Sequence, residues 1–154
     1  MGTDPNDLKK FFELPALCPV FNIRAASRLI TQLFDEILKP SGLQITQFSV
    51  LVGIASMGNP TINQLAKGLV MDRTTLTRGI RPIEKMGLIK IKKGEDKRTT
   101  TLELTAKGIE TMNKTLPYWK KARKTVAKEF GERFLDGMIK DLTSVRDGNL
   151  EIKN

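Results

Sequence analysis

The sequence predicts a mainly α chain carrying one small β-hairpin, and three observations predict it. Apolar residues recur at spacings of three and four through most of the chain, as one face of a helix requires. After Gly87 the spacing changes to alternation, with Ile89 and Ile91 set between Lys90 and Lys92 and a β-branched return run over Thr99 to Leu104. The segment from Lys67 to Arg98 holds ten basic residues against four acidic ones, and so carries six of the chain's net charge of +9. Helix, tight turn, helix and basic hairpin in that order describe a winged helix-turn-helix, with further amphipathic helices on either side.

The elements follow in order. Leu29, Leu33, Phe34, Ile37 and Leu38 define a first helix over about 20 to 39, ended by Pro40-Ser41-Gly42. Phe48, Leu51, Val52 and Ala55 share a face of a second, from Thr46 to the breaker Gly58-Asn59-Pro60. Thr61 caps a third, with Gln64 in the capping-box position and Ile62, Leu65, Ala66 and Leu69 turned inward. Asp72 caps a fourth, since its carboxylate suits both the unpaired amides and the positive end of a helix. At about 100° per residue, Leu76, Ile80 and Ile83 form its apolar stripe. Thr74, Arg78, Arg81 and Lys85 lie opposite, with Thr77 on the shoulder. Pro82 and Gly79 predict a bend or a tightened turn near its end. Gly94-Glu95-Asp96-Lys97 turns the hairpin, and Thr105 caps a fifth helix that Pro117 should kink before Trp119. Phe134, Leu135, Met138, Ile139 and Leu142 mark a sixth.

Composition excludes much. The chain has 154 residues, 40% of them hydrophobic, enough for one core. No histidine is present, which removes the commonest general base and transition-metal ligand, and no Gly-rich phosphate loop appears, so neither catalytic residues, metal ligands nor a cofactor site are read. The one cysteine, Cys18, permits no intrachain disulfide framework, which suits a reducing cytoplasm. Phe48 to Gly58, the longest weakly polar stretch, is too short for a bilayer, and Glu13, Pro15 and Pro19 interrupt any export signal. The basic stripe instead suits duplex DNA, where cations displace condensed counterions.

On Asp96-Lys97-Arg98 followed by Leu104-Thr105 and Gly108, a D-x-R…L-T-x-x-G wing pattern, and on Arg78, Ile80, Ile83, Glu84, Gly87, Leu88 and Ile89, the chain resembles the MarR family of winged helix-turn-helix transcriptional regulators. The likeness runs from about Ile23 to Leu142. It implies a homodimer that offers two recognition helices to successive major grooves of a pseudo-palindromic operator, most often as a repressor. The expected division is an N-terminal dimerisation segment over 1–40, a DNA-binding lobe over 41–108 and C-terminal dimerisation helices over 109–154. Independently of the family, the flanking helices are amphipathic with no globular unit of their own to cover.

In such a complex Arg73, Thr74, Thr75, Thr77, Arg78 and Arg81 are the candidates for the groove. Lys92, Lys93, Lys97 and Arg98 are candidates for phosphate or the minor groove, and Asp96 for orienting an arginine at the wing base. The family's habit of answering oxidants or small phenolic molecules makes Cys18 a candidate redox sensor, against an inert apolar thiol, and Phe21, Arg24, Phe48, Met57 and Trp119 a candidate pocket for a small aromatic or apolar effector. Two other readings stay open, a winged helix turned protein-interaction module and a thiol enzyme built on Cys18.

Overall fold

The structure, a computed structural model, describes residues 6–9, 11–93 and 100–148. Two single-turn helices, α1 (Asn6–Lys9) and α2 (Leu14–Leu17), lead into α3 (Pro19–Leu38), which ends in a 3-10 turn over Lys39–Ser41. Gly42 closes that turn at φ 77°, the left-handed conformation expected of it. Then come α4 (Ile45–Met57), α5 (Ile62–Gly68), α6 (Arg73–Lys85), strands β1 (Ile89–Lys93) and β2 (Thr100–Leu104), α7 (Ala106–Phe130) and α8 (Glu132–Asp147).

Each junction has a chemical cause. The Asp35 carboxylate of α3 accepts from the first amide of α4, Ile45 N–H, at 2.6 Å, which ties the two helices at their corner. Thr61 and Gln64 form the predicted reciprocal box at the start of α5, the Gln64 amide donating to Thr61 Oγ1 at 3.2 Å and the Thr61 amide to Gln64 Oε1 at 2.8 Å. One core then gathers Leu38 of α3, Phe48, Leu51 and Ile54 of α4, Leu65 of α5, Leu76, Ile80 and Ile83 of α6, Leu102 of β2 and Ala122 of α7. Neither Pro82 nor Pro117 interrupts its helix: α6 continues to Lys85 and α7 runs unbroken for 25 residues. The lost amide bond is offset because residues on both sides of each proline, Ile80 and Ile83 in α6 and Thr115 and Ala122 in α7, are buried.

β1 and β2 pair antiparallel, with Ile89 opposite Leu104, Ile91 opposite Leu102 and Lys93 opposite Thr100. A third short edge joins them: Leu102 N–H donates to Pro60 C=O at 2.9 Å, and Thr61 bridges Thr101. This seats the hairpin against the start of α5, a contact that local sequence patterns do not announce.

A second, smaller apolar cluster joins Val126 and Ala127 of α7 to Leu135 of α8, with Leu33 and Phe34 of α3 against it. Outside it, large apolar side chains of the terminal helices stay in the open, among them Val20, Phe21 and Leu29 of α3, Phe130 of α7, and Phe134, Ile139, Leu142 and Val145 of α8.

The turn between α5 and α6 carries backbone strain. Val70, a residue 68% exposed, sits at φ 53°, a left-handed conformation that a β-branched residue adopts at a cost of about 1 to 2 kcal/mol. It is held there by a helix-ending pair of bonds, Met71 N–H to Ala66 C=O at 2.8 Å and Val70 N–H to Lys67 C=O at 3.1 Å. Val70→Gly should therefore raise stability in urea unfolding by about 0.5 to 1 kcal/mol, the relieved strain exceeding glycine's added freedom in the unfolded chain. A lowered midpoint would mean that the valine side chain makes compensating contacts.

Candidate nucleic-acid interface

α6 is fixed at its first turn by Asp72. The carboxylate accepts from the Thr75 amide at 2.8 Å and from the Thr75 hydroxyl. These two bonds, the hydroxyl's first, hold the Asp72 carboxyl below the usual carboxylate range. The buried stripe Leu76, Ile80, Ile83 then sets the rotation of the helix, so that Arg73, Thr74, Arg78, Arg81 and Lys85 face solvent.

The sequence placed six residues of this stretch at the groove, and the structure divides them by what their polar atoms already do. Thr75 spends its hydroxyl on the cap, and the half-buried Thr77 donates its hydroxyl to Arg73 C=O at 2.7 Å. Arg73, Thr74, Arg78 and Arg81 have no side-chain partner among the described residues and keep their full donor sets for a ligand. Arg78 and Arg81 lie three apart on a helix and so on one side of it, without an acid beside them until Glu84.

The far end of α6 is locked to the hairpin and to α7. Gly87, at φ 73°, turns the chain out of the helix. Its carbonyl accepts the Thr105 hydroxyl at 2.7 Å, while the same oxygen of Thr105 accepts from Gly108 N–H at 2.9 Å and caps α7. Lys107 Nζ donates to Met86 C=O at 2.8 Å, placing a cation at the negative end of α6. Gly108 is there because nothing larger fits: a Cβ on it would stand 2.1 Å from Leu88 C=O. The L-T-x-x-G stretch is thus the joint through which α7 holds the recognition helix and the wing.

Of the wing residues, Lys92 is paired with Glu103 across the ladder, whereas Lys93 is exposed and without an acid partner among the described residues. Asp96, Lys97 and Arg98 lie outside the described residues. Lys107 and Glu103 are the positions that sequence reasoning missed, since each acts on a residue far from it along the chain.

The residues expected to form one effector pocket fall in different places. Phe48 and Trp119 line one apolar groove of about 370 Å³ with Val52, Leu69 and Leu116. Met57 belongs to a different hollow beside Lys67 and Val70. Phe21 and Arg24 are exposed on the N-terminal half of α3. Cys18 is half-buried at the position that caps α3, neither sealed in a core nor fully open.

A capped helix aimed outward by a buried stripe, a short turn before it and a basic hairpin locked behind it define a winged helix-turn-helix protein. The MarR family profile matches residues 43–100, the span from the turn after α3 to the start of β2. The chain belongs to the MarR family of winged helix-turn-helix regulators. It is 33% identical to the transcriptional regulator MosR of M. tuberculosis, whose crystal structure is in complex with DNA, with a TM-score of 0.76 over 84% of this chain and 93% of that one. It is 34% identical over 86 residues to the uncharacterized HTH-type transcriptional regulator YwoH of Bacillus subtilis, covering 56% of this chain and 63% of YwoH. It is also 34% identical over 86 residues to the transcriptional repressor MprA of Escherichia coli, covering 54% and 49%. The chain therefore spans about half to two-thirds of the length of these two curated relatives. No helix among the described residues is long and apolar enough to cross a membrane.

Proposed function

We propose that this chain is a sequence-specific, double-stranded DNA-binding transcriptional regulator that works as a cytoplasmic homodimer, a repressor as MprA is named, and not an enzyme. The observation that carries the reading is the outer face of α6, where Arg73, Thr74, Arg78 and Arg81 are exposed and unpaired on a helix whose rotation the core fixes. A winged helix used only to bind protein would have no need of free guanidinium groups there, and a thiol enzyme built on Cys18 would have no histidine for its base. The likeness to MosR, solved on DNA, points the same way.

Dimerisation is supported by the open apolar side chains of α3, α7 and α8, which a second copy would cover with residues 1–40 and 109–154 while the lobe of residues 41–108 meets DNA. The Phe48–Trp119 groove suits a small aromatic or apolar effector, since it lies where α4 meets α7, the helix that holds the wing. Cys18 is the one thiol through which an oxidant could act.

Selecting duplexes from a random library with the purified protein tests this. The enriched site should be a pseudo-palindrome whose half-sites lie about 10 to 10.5 base pairs apart, or a multiple of that, with two protomers bound per duplex. Recovery of no preferred sequence, or of one protomer per duplex, would contradict it.

A further inference from the structure

α7 carries a second cationic surface that the recognition helix and wing do not use. Between Glu110 and Glu129 it holds six cations, Lys114, Lys120, Lys121, Arg123, Lys124 and Lys128, and no acid. Two are matched: Lys114 pairs with Glu110 at 2.6 Å, and Arg123 reaches Glu132 at 3.2 Å and Asp136 at 2.9 Å on α8. Lys120, Lys121, Lys124 and Lys128 are all exposed and pair with nothing among the described residues. At about 100° per residue, Lys124 stands opposite the buried face of Thr115, Ala122 and Val126, with Lys120 and Lys128 flanking it. Lysines four apart on a helix repel each other, and mixed-sign spacing would have removed that cost. The stripe is therefore an arrangement that a polyanion would relieve.

The chemistry of the stripe selects the polyanion. It offers bare ammonium groups with no aromatic or large apolar anchor among them, and lysine is depleted from protein interfaces, whose energy comes from buried aromatic and arginine anchors. Phosphates in a row ask for cations alone. Lys120 to Lys128 spans about 12 Å of helix, against one phosphate per about 3.4 Å of each strand. The stripe stands apart from the wing along α7. α6 and α7 both turn their apolar faces to the same core, through Ile80 and Ile83 on one side and Ala122 on the other, and the stripe begins about 21 Å along α7 from its first residue at the wing base. Nor does a dimer face explain it, because burying four unpaired ammonium groups is costly, and the open apolar side chains of α3, α7 and α8 are other residues than these lysines.

We infer that the Lys120, Lys121, Lys124, Lys128 face of α7 binds the backbone of a second DNA duplex, so that an operator-bound dimer bridges two segments of DNA. The inference rests on the DNA-binding reading above. A capture experiment tests it: a short selected duplex is immobilised and saturated with protein, and a fluorescent duplex lacking the site is then added. The protein should retain the second duplex, and a Lys120→Gln, Lys124→Gln, Lys128→Gln triple variant should lose at least about tenfold of that capture at about 100 mM salt. The same variant should bind the immobilised duplex within about twofold of the parent and melt no lower, since it removes only repulsion. Equal capture by parent and variant overturns the assignment, as does a parent that binds its site but retains no second duplex. Weakened binding of the variant to the short site itself also overturns it, because the stripe would then touch the same duplex. Failure of the parent to bind any site would instead reject the DNA-binding reading.

Discussion

Gly108→Ala is expected to destabilise the protein by about 1 to 2 kcal/mol net and to weaken DNA binding along with it. Two effects oppose each other at this position. Within a helix, alanine is favoured over glycine by about 1 kcal/mol. Against that, the new methyl would stand 2.1 Å from the backbone oxygen of Leu88, so that either α7 or the hairpin must move. Backbone cannot rotate away as a side chain would, and overpacking typically costs about 1 to 3 kcal/mol and occasionally more, so the clash should win. Gly137→Ala provides the contrast, since that glycine lies within α8 with nothing within 4 Å of an added Cβ. It should gain about 1 kcal/mol. Urea unfolding of both variants reads the difference, and a neutral or stabilised Gly108→Ala would refute the joint described here.

Arg78→Ala should cost about 1 to 3 kcal/mol of discrimination between the selected site and scrambled duplex, with little change on scrambled DNA. Lys93→Ala should weaken both duplexes alike and make the salt dependence shallower by about one phosphate contact. The contrast follows from geometry. Arg78 projects from a helix whose rotation is set by three buried residues, so its planar fork has a fixed place from which to read a base edge. Lys93 ends an exposed strand and offers a mobile point charge. Losses of equal size on both duplexes for both variants would remove the distinction between reading and holding.

How much of this was legible in the sequence depended on how far apart the cooperating residues stand. The Thr61–Gln64 box, the Asp72 cap and the Leu76, Ile80, Ile83 stripe are each written within a few residues, and periodicity or capping chemistry exposes them directly. The alternation at Ile89 and Ile91 marked the hairpin for the same reason, although Ile91 is left 38% exposed because only one end of β1 meets the core. Relations across distance were harder. Pro60 gives its carbonyl to Leu102, and Lys107 caps a helix that ended more than twenty residues earlier. Glu103 takes up Lys92, a lysine that charge counting alone assigns to phosphate. Gly108 was visible as part of a pattern, but the oxygen that forbids a side chain there belongs to Leu88, which no spacing rule connects to it.

The candidate effector residues show the same limit. Phe48 and Trp119 line one groove although they are far apart in the chain, whereas Met57 lines another and Phe21 and Arg24 are exposed on α3, since no local signal tells which residues will share a groove. A proline's local cost is legible at Pro117, while the packing that carries α7 past it without a break is not.

The most direct test of the central claim, that α6 and the wing form a sequence-reading DNA surface, is the affinity of the selected duplex and its scrambled counterpart across a salt series. A dimer contacting about 6 to 10 phosphates should lose roughly 10³ to 10⁵ in affinity between about 50 and 200 mM salt on both, while the ratio between the two duplexes holds. Affinities that do not respond to salt, or a preference that vanishes as salt rises, would contradict it.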